Sequence, residues 1–340
     1  MNAPMEARPR LAVIIVSYNT RELLRACLTS VEAAAAYGAD RLKVTIHVAD
    51  NASRDGSAAM VASGFPGVRL IALDENIGFT GGNNLVLTEL GFAVHSHVEQ
   101  DAHGVEPPDY VLLLNPDTEV EPNSLLRLVS FMMSESEAGA CGPQLRYGNG
   151  DFQHGAFIFP GLAQIFLDIF PVTGIPGMHR LRESRINGRY PRALWDGDAP
   201  FFVDFVLGAA LCLRGTTIAQ IGGLDEGYFM YCEEMDWCLR AQETGWSVYA
   251  VPDARVIHHE GQSSKQTPWP SFVRLWRSRL RFYGKFIDRY PLWYLWLVRG
   301  VLRTGLALRS RAARRAFAQG RLTGRAAGDE LAAYQTVKNL

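Results

Sequence analysis

Residues 11–19, LAVIIVSYN, set six apolar side chains in a row and then turn polar at Ser17, Tyr18 and Asn19. A continuous apolar run without alternation marks a strand covered on both faces. The next stretch changes period. RELLRACLTSVEAAAA (21–36) puts Leu24, Cys27, Leu28 and Val31 at helical spacing, with Asn19 or Thr20 placed to cap its start. The alternation then repeats through strand VTIHVAD (44–50), a helix around GSAAMVAS (56–63), strand VRLIAL (68–73), a helix from Asn83 to about His95, and strand DYVLLLN (109–115). Strand and helix trading places in this way predict an α/β fold with a mostly parallel sheet flanked by helices. Ligands of such sheets bind beyond the carboxyl ends of the strands, so the polar residues that follow each strand are the candidates.

Past residue 120 the pattern loosens. LLRLVSFMM (125–133) and EMDWCLRAQETG (234–245) read as helices, and FVDFVLGAALCLRG (202–215) as one long strand. FIFPGLAQIFLDIFPVTGIPGMHR (157–180) is rich in Pro, Gly and large apolar residues without a period, and reads as a flexible loop covering an acceptor site.

With 340 residues and 48% hydrophobic content, the chain has enough apolar material for a sizeable core. Its five cysteines form no CxxC pair, which points to a reducing cytosolic compartment rather than to a disulfide framework or a zinc cluster. The N-terminal MNAPMEARPR lacks the apolar core of a signal peptide, and no run of 18 uncharged apolar residues follows. The net charge of −1 conceals a division: Lys265–Arg325 carries thirteen Arg and two Lys against the single acid Asp288. An acidic body over residues 10–264 and a basic helical appendage over 265–340 is the expected organisation, with an anionic partner for the appendage.

Five stretches carry candidate chemistry. VADNASRDGS (48–57) ends a strand in Asp50 and Asn51, which suits a ribose or base edge as well as an Asx turn. ENIGFTGGNN (75–84) sets Gly78, Gly81, Gly82 and Asn83 where a helix begins, a place for close backbone approach and for an anion such as a diphosphate. It matches neither the dinucleotide nor the P-loop fingerprint. LLLNPDTEV (112–120) presents Asn115, Asp117 and Glu119 directly after an apolar strand, a setting for a hard cation such as Mg²⁺ or Mn²⁺. ARVIHHEGQS (254–263) ends another apolar run in His258 and His259. GYFMYCEEMDWCLR (227–240) crowds Glu233, Glu234 and Asp236 among aromatics at a helix start. The helix dipole accounts for acids there, and their mutual repulsion raises at least one pKa, as a general base requires.

Together VIIVSYNT, VADNASRDGS, ENIGFTGGNN, LLLNPDTEV, VLGAALCLRG, GGLDEGYFMYCEEMDWCLR and VIHHEGQS resemble, in the same order, the motifs of family-2 glycosyltransferases of the GT-A, Rossmann-like fold, rhamnosyltransferases above all. The resemblance spans about residues 11–264. It implies that Ser17, Tyr18, Asn19, Asp50, Asn51, Gly78, Gly81, Gly82, Asn83, Asn115 and Asp117 line a nucleotide-sugar pocket, and that Asp117 and His258 hold the metal. Asn115 stands where the family's Asp-x-Asp motif has its first acid. Glu233 and Glu234 match the Glu-Asp pair that supplies the base, with Glu234 in the Asp position and Asp236 beside it. The implied reaction is an inverting, single-displacement transfer. dTDP-L-rhamnose is the favoured donor and a polyprenyl-linked or glycan hydroxyl in the cell envelope the acceptor; galactofuranose, mannose and N-acetylhexosamine are the other sugars in view. The tail over 267–317 interleaves Trp, Tyr, Phe and Leu with Arg, the composition of a helix lying in a membrane interface, which implies a cytoplasmic, peripherally membrane-bound protein. A helix packed on the domain or on a second copy of the chain is the competing expectation. No nucleic-acid-binding motif occurs. A nucleotidyltransferase would carry a basic glycine-rich loop near VSYNTRELL, and this chain does not; a catalytically inactive membrane adaptor is the non-enzymatic alternative.

Overall fold

A computed structural model describes residues 8–94, 105–170, 178–260 and 267–340. Its chain divides into two compact units, one of residues 1–157, 192–229 and 233–263, the other of 158–191, 230–232 and 264–340.

In the first unit, β1 (Arg10–Ser17), β2 (Lys43–Asp50), β3 (Val68–Ala72) and β4 (Tyr110–Leu114) form the parallel half of a sheet in the order β3-β2-β1-β4. Helices α1 (Arg21–Tyr37), α2 (Ser57–Gly64) and α3 (Gly78–Glu89) connect the first strands. Leu11 to Ser17 are all buried, as an apolar run without alternation requires. Helix α1 buries Leu24, Cys27, Leu28, Val31 and Ala34, its predicted apolar stripe. Each Leu or Val among them withdrawn from water contributes about 1.5–3 kcal/mol before entropy is charged against it.

The sheet continues through β5 (Thr118–Val120), β6 (Ala138–Arg146), β11 (Ala210–Arg214) and β12 (Ser247–His258), in the order β4-β11-β6-β12-β5. Helix α4 (Ser124–Ser134) separates β5 from β6 in the chain. Strand β11 runs antiparallel to both β4 and β6, and β12 runs parallel to β6. Register brings the strand ends to one edge: Ser17 pairs with Asp50, Ile15 with Leu114, Leu114 with Ala210, and His258 with Thr118.

Three sequence expectations change. Helix α3 begins at Gly78, five residues before Asn83, because Gly81 and Gly82 lie inside it as close-packing positions rather than as breakers; the expected end at His95 falls outside the described residues. FVDFVLGAALCLRG is three short pieces, β9 (Phe201–Phe202), β10 (Phe205–Val206) and β11, because its segments pair with different partners: β9 with β12, β10 with β8 (Ala156–Phe157), and β11 with β4 and β6. The stretch 157–180 holds helix α5 (Leu162–Ile169) and the short α6 (Met178–Arg182) where a loop was expected; residues 171–177 lie outside the description. Apolar residues on all sides hid its period, and Ile165, Leu167 and Ile169 are buried. Helices α7 (Gly215–Ile221) and α8 (Glu233–Glu243) complete this part of the chain order.

The second unit joins α5 to α9 (Pro268–Lys285), α10 (Leu292–Ala318) and α11 (Gly324–Lys338). Arg309 donates to the carbonyls of Asp168 and Ile169 at 2.6 Å each, capping the end of α5, and Arg279 pairs with Asp168 at 2.6 Å. Part of the basic charge is therefore committed within the unit. The rings of Tyr283, Tyr290 and Tyr294 meet at 4.9–5.6 Å. Helix α10 buries Val298, Leu302, Gly305 and Leu306 on one face, while Leu292, Trp293, Trp296 and Leu297 are exposed on another. No described helix is long and apolar enough to cross a membrane.

Candidate functional site

At the carboxyl edge of β1 and β2 the loops are laced together. The Asn19 N–H donates to Ser53 Oγ at 2.9 Å, and the Arg54 N–H to Asn19 Oδ1 at 2.8 Å, with Asn19 at φ 53°. Thr20 does not cap α1 with its side chain; its hydroxyl stands 3.0 Å from Ser17 Oγ, and Asp55 Oδ2 accepts the Arg21 N–H at 2.8 Å instead. Asp50 is buried, its Oδ1 accepts the Ser53 N–H at 2.9 Å, and its Oδ2 has no hydrogen-bond partner in the protein. A buried carboxylate oxygen left in this way costs free energy until a donor reaches it, which suits a ligand N–H or hydroxyl. Tyr18 is exposed beside it.

Asn51 brackets the next loop: its amide donates to the Gly78 carbonyl at 2.8 Å and its oxygen accepts the Ile77 N–H at 3.0 Å. The Gly78 N–H goes to Asn76 Oδ1 at 2.9 Å, and the Phe79 N–H to the Phe229 carbonyl at 2.9 Å. The Ile77, Gly78 and Phe79 N–H groups at the start of α3 are thus engaged within the protein. Gly78, at φ +84°, lets the backbone pass the Phe229 carbonyl, from which a Cβ would stand only 2.5 Å away. Gly82 lies flat on Val16, 2.8 Å from a would-be Cβ, and fixes α3 against β1. Asn83 is fully buried and donates to the Phe79 carbonyl at 2.9 Å.

The end of β4 and the end of β12 bring two further groups together. Asp117 Oδ1 and His258 Nε2 are 3.5 Å apart, both side chains buried. His258 Nδ1 lies 3.2 Å from Gln153 Oε1. His259 pairs instead with Glu119, at 2.7 Å. The residues 261–263 of the VIHHEGQS stretch lie outside the described residues. One carboxylate oxygen and one imidazole nitrogen, too far apart for a good hydrogen bond, fit a shared divalent cation in donor chemistry. No group of three or more His, Cys, Asp or Glu suited to a metal exists among the described residues. The protein thus offers two ligands at this point, the partial set that leaves room for phosphate oxygens and water around Mg²⁺ or Mn²⁺.

The acids of α8 divide by role. Asp236 is fully buried, accepts from Arg240 Nε at 2.7 Å and from the Tyr228 hydroxyl at 3.2 Å, and is a structural anchor. Arg240 also donates to the carbonyls of Ile221 and Gly223 at 2.7 Å each, and Trp237 Nε1 to that of Gly222 at 3.1 Å. Asn84 grips the same loop through the Leu224 carbonyl at 2.8 Å and the Leu224 N–H at 2.9 Å. Glu233 is buried, and desolvation first, with the Glu234 charge second, pushes its pKa well above the ordinary glutamate value. Glu234 is half-buried and packs over Gly208. Gly208 precedes Ala209, whose carbonyl accepts the Asn115 N–H at 2.9 Å. Through β11, Glu234 is therefore tied to the same sheet edge as Asn115 and Asp117. Gln153, Arg240, Trp237 and Asn84 were missed from the sequence; only Arg240 left a signal, four residues after Asp236 on one helix.

The chain is 29% identical over 310 residues, 88% of its length and 91% of the relative's, to an N-acetylglucosaminyl-diphospho-decaprenol L-rhamnosyltransferase of Mycobacterium tuberculosis. It is 28% identical over 167 residues, 47% of its length and 58% of the relative's, to the rhamnosyltransferase WbbL of Escherichia coli K12. Among solved structures, the mannosyltransferase PcManGT of Pyrobaculum calidifontis, in complex with GDP-Man and Mn²⁺, superposes with a TM-score of 0.56 at 15% identity, over 98% of this chain and 88% of that one. That likeness carries the fold, which is GT-A. The model of the glycosyltransferase like family 2 matches residues 9–277, and the chain accordingly belongs to that family, as a rhamnosyltransferase-like glycosyltransferase.

Proposed function

We propose that the protein transfers L-rhamnose, with inversion, from dTDP-L-rhamnose to a hydroxyl of a polyprenyl-diphosphate-linked glycan during cell-envelope synthesis. The observation that supports this reading is the Asp117–His258 pair beyond the ends of β4 and β12, on the sheet edge to which Glu234 is linked through Gly208 and the Ala209 carbonyl. The names of the rhamnosyltransferase relatives support the sugar and the lipid-linked acceptor.

Asp50 Oδ2 takes a hydrogen bond from the nucleotide base or ribose, and Ser17, Tyr18, Asn19 and Asn51 shape that end of the pocket. Gly78, Gly81, Gly82 and Asn83 position the adjoining helix, and Asn115 lies between the nucleotide end and the cation site. Asp117 and His258 are the residues that would hold Mg²⁺ or Mn²⁺. A divalent cation held there would supply neutralisation of the charge developing on the leaving nucleoside diphosphate. Glu234 accepts the proton of the acceptor hydroxyl as its oxygen attacks the anomeric carbon. Glu233, its pKa raised by burial first and by the Glu234 charge second, stands beside it at the start of α8. Asp236 sits behind them as a positioning residue through Arg240.

On the second unit, the exposed Leu292, Trp293, Trp296 and Leu297 and the flanking basic residues suit the surface of an anionic bilayer, where a polyprenyl-linked acceptor resides. The test is transfer from dTDP-L-rhamnose to polyprenyl-diphosphate N-acetylglucosamine. Asp117→Ala should abolish turnover and Glu234→Gln should lower kcat by orders of magnitude, both variants remaining folded. Native-like rates in both, or transfer only from UDP- or GDP-sugars in a donor panel, would overturn the assignment.

A further inference from the structure

We propose that Gln153 is a positioning residue for cation capture, holding His258 in the tautomer whose Nε2 keeps its lone pair turned to Asp117. The inference rests on the reading of Asp117 and His258 as the cation ligands, and adds to it a residue that neither the sequence motifs nor the comparisons single out. Strand β7 (Phe152–Gln153) pairs with β6, with Gln153 opposite Leu145, and Leu145 in turn lies opposite Val256 of β12. Gln153 and His258 thus approach one another across β6, and both are buried, at 4% and 5% exposure. His258 Nδ1 lies 3.2 Å from Gln153 Oε1, within hydrogen-bond reach.

A neutral imidazole carries one ring proton. If the amide oxygen of Gln153 takes the hydrogen bond at Nδ1, Nε2 is unprotonated, and an unprotonated nitrogen 3.5 Å from a carboxylate oxygen makes no hydrogen bond with it. A carboxylate oxygen and a bare ring nitrogen facing one another are a donor set that a divalent cation takes up. The partner at the far ring nitrogen fixes both tautomer and ring orientation, and removing such a partner lowers metal affinity about 10–100-fold.

Two measurements test this. In protein carrying ¹⁵N-histidine, with the His258 resonances assigned by their loss in His258→Gln, long-range ¹H–¹⁵N correlations should show Nδ1 protonated and Nε2 bare. Gln153→Leu should shift the proton to Nε2, while Gln153→Glu, which keeps an oxygen acceptor, should leave it at Nδ1. Binding of Mn²⁺ in the presence of dTDP, followed by the resonance of the free ion, should weaken about 10–100-fold in Gln153→Leu and recover in Gln153→Glu. A native His258 protonated at Nε2 overturns the proposal, and needs no variant to fold. Equal Mn²⁺ affinity in native protein and Gln153→Leu overturns it also. A native protein with Nδ1 protonated that binds no Mn²⁺ refutes the cation reading itself, a result distinct from failure of the tautomer assignment.

Discussion

The fold makes a sharp demand on the backbone at Gly78, and Gly78→Ala tests it. A methyl group there would stand 2.5 Å from the Phe229 carbonyl oxygen and 2.8 Å from Phe229 Cδ2. The carbonyl cannot swing aside freely, because it accepts the Phe79 N–H at 2.9 Å. Nor can the loop rotate, since Asn51 holds the Gly78 carbonyl at 2.8 Å and the Ile77 N–H at 3.0 Å. The left-handed φ of +84° adds about 1–2 kcal/mol for any L-residue. Forcing an extra carbon into a closed contact adds about 1–3 kcal/mol. The sum, about 2–5 kcal/mol, is a large share of what holds a domain together. Gly81→Ala serves as the control, because the nearest atoms its methyl would meet belong to the Ile77 side chain, at 3.2 Å, rather than to backbone, and its φ is not in the left-handed region. Urea unfolding followed by circular dichroism reads both costs, and protection against thermal unfolding by dTDP-L-rhamnose reads the effect on the pocket. A Gly78→Ala protein as stable as Gly81→Ala, with native protection by the donor, would refute the reasoning.

Trp293 and Trp296 are 63% and 75% exposed. With about 130 Å² of each ring free, half-immersion of both in a bilayer contributes about 3 kcal/mol, so Trp293→Ser/Trp296→Ser should lower partitioning onto anionic vesicles roughly a hundredfold. Unchanged vesicle flotation, or a dimer in light scattering that the double variant abolishes, would assign the edge otherwise. Glu233 has its pKa raised in the fold, so the folded state keeps its proton to higher pH than the unfolded chain. Its contribution to stability is therefore fullest at low pH and is lost as pH climbs from the ordinary glutamate range through the raised value, about 1.4 kcal/mol per unit of displacement. Glu233→Gln should flatten that decline, gaining on native protein in urea midpoints as pH rises above the ordinary glutamate range; a parallel pH profile would count against it. Arg240→Met strips the buried Asp236 of its ion pair and two carbonyls of their donor, and should cost about 3–5 kcal/mol, part of which Asp236→Asn restores in the double variant.

The parallel half of the sheet was legible because its central strands β1 and β4 are buried on both faces and its helices on one, so period separates them. Asp50, Asn115 and Asp117 were legible for the same reason: a polar residue directly after such a strand has nowhere to go but the carboxyl edge. The start of α3 was not, because a glycine that breaks a helix and one that lets a helix press on a strand look alike until Val16 is seen beneath Gly82. The pieces of 202–215 share one apolar composition, and only their pairing partners distinguish them. Gln153 was invisible, since a two-residue strand carries no periodicity and its contact with His258 spans 105 positions.

The grip of Asn84 on Leu224 reaches across 140 positions of chain, from the third helix to the turn ahead of the paired glutamates. Gly223 is part of that fit, for a side chain there would stand 2.6 Å from the Asn84 amide oxygen. Anyone building chimeras to exchange acceptor preference between relatives would be tempted to transplant residues 222–240 as a cassette. Position 84 has to travel with that cassette, or the transplanted loop arrives without the hinge pin that sets its angle.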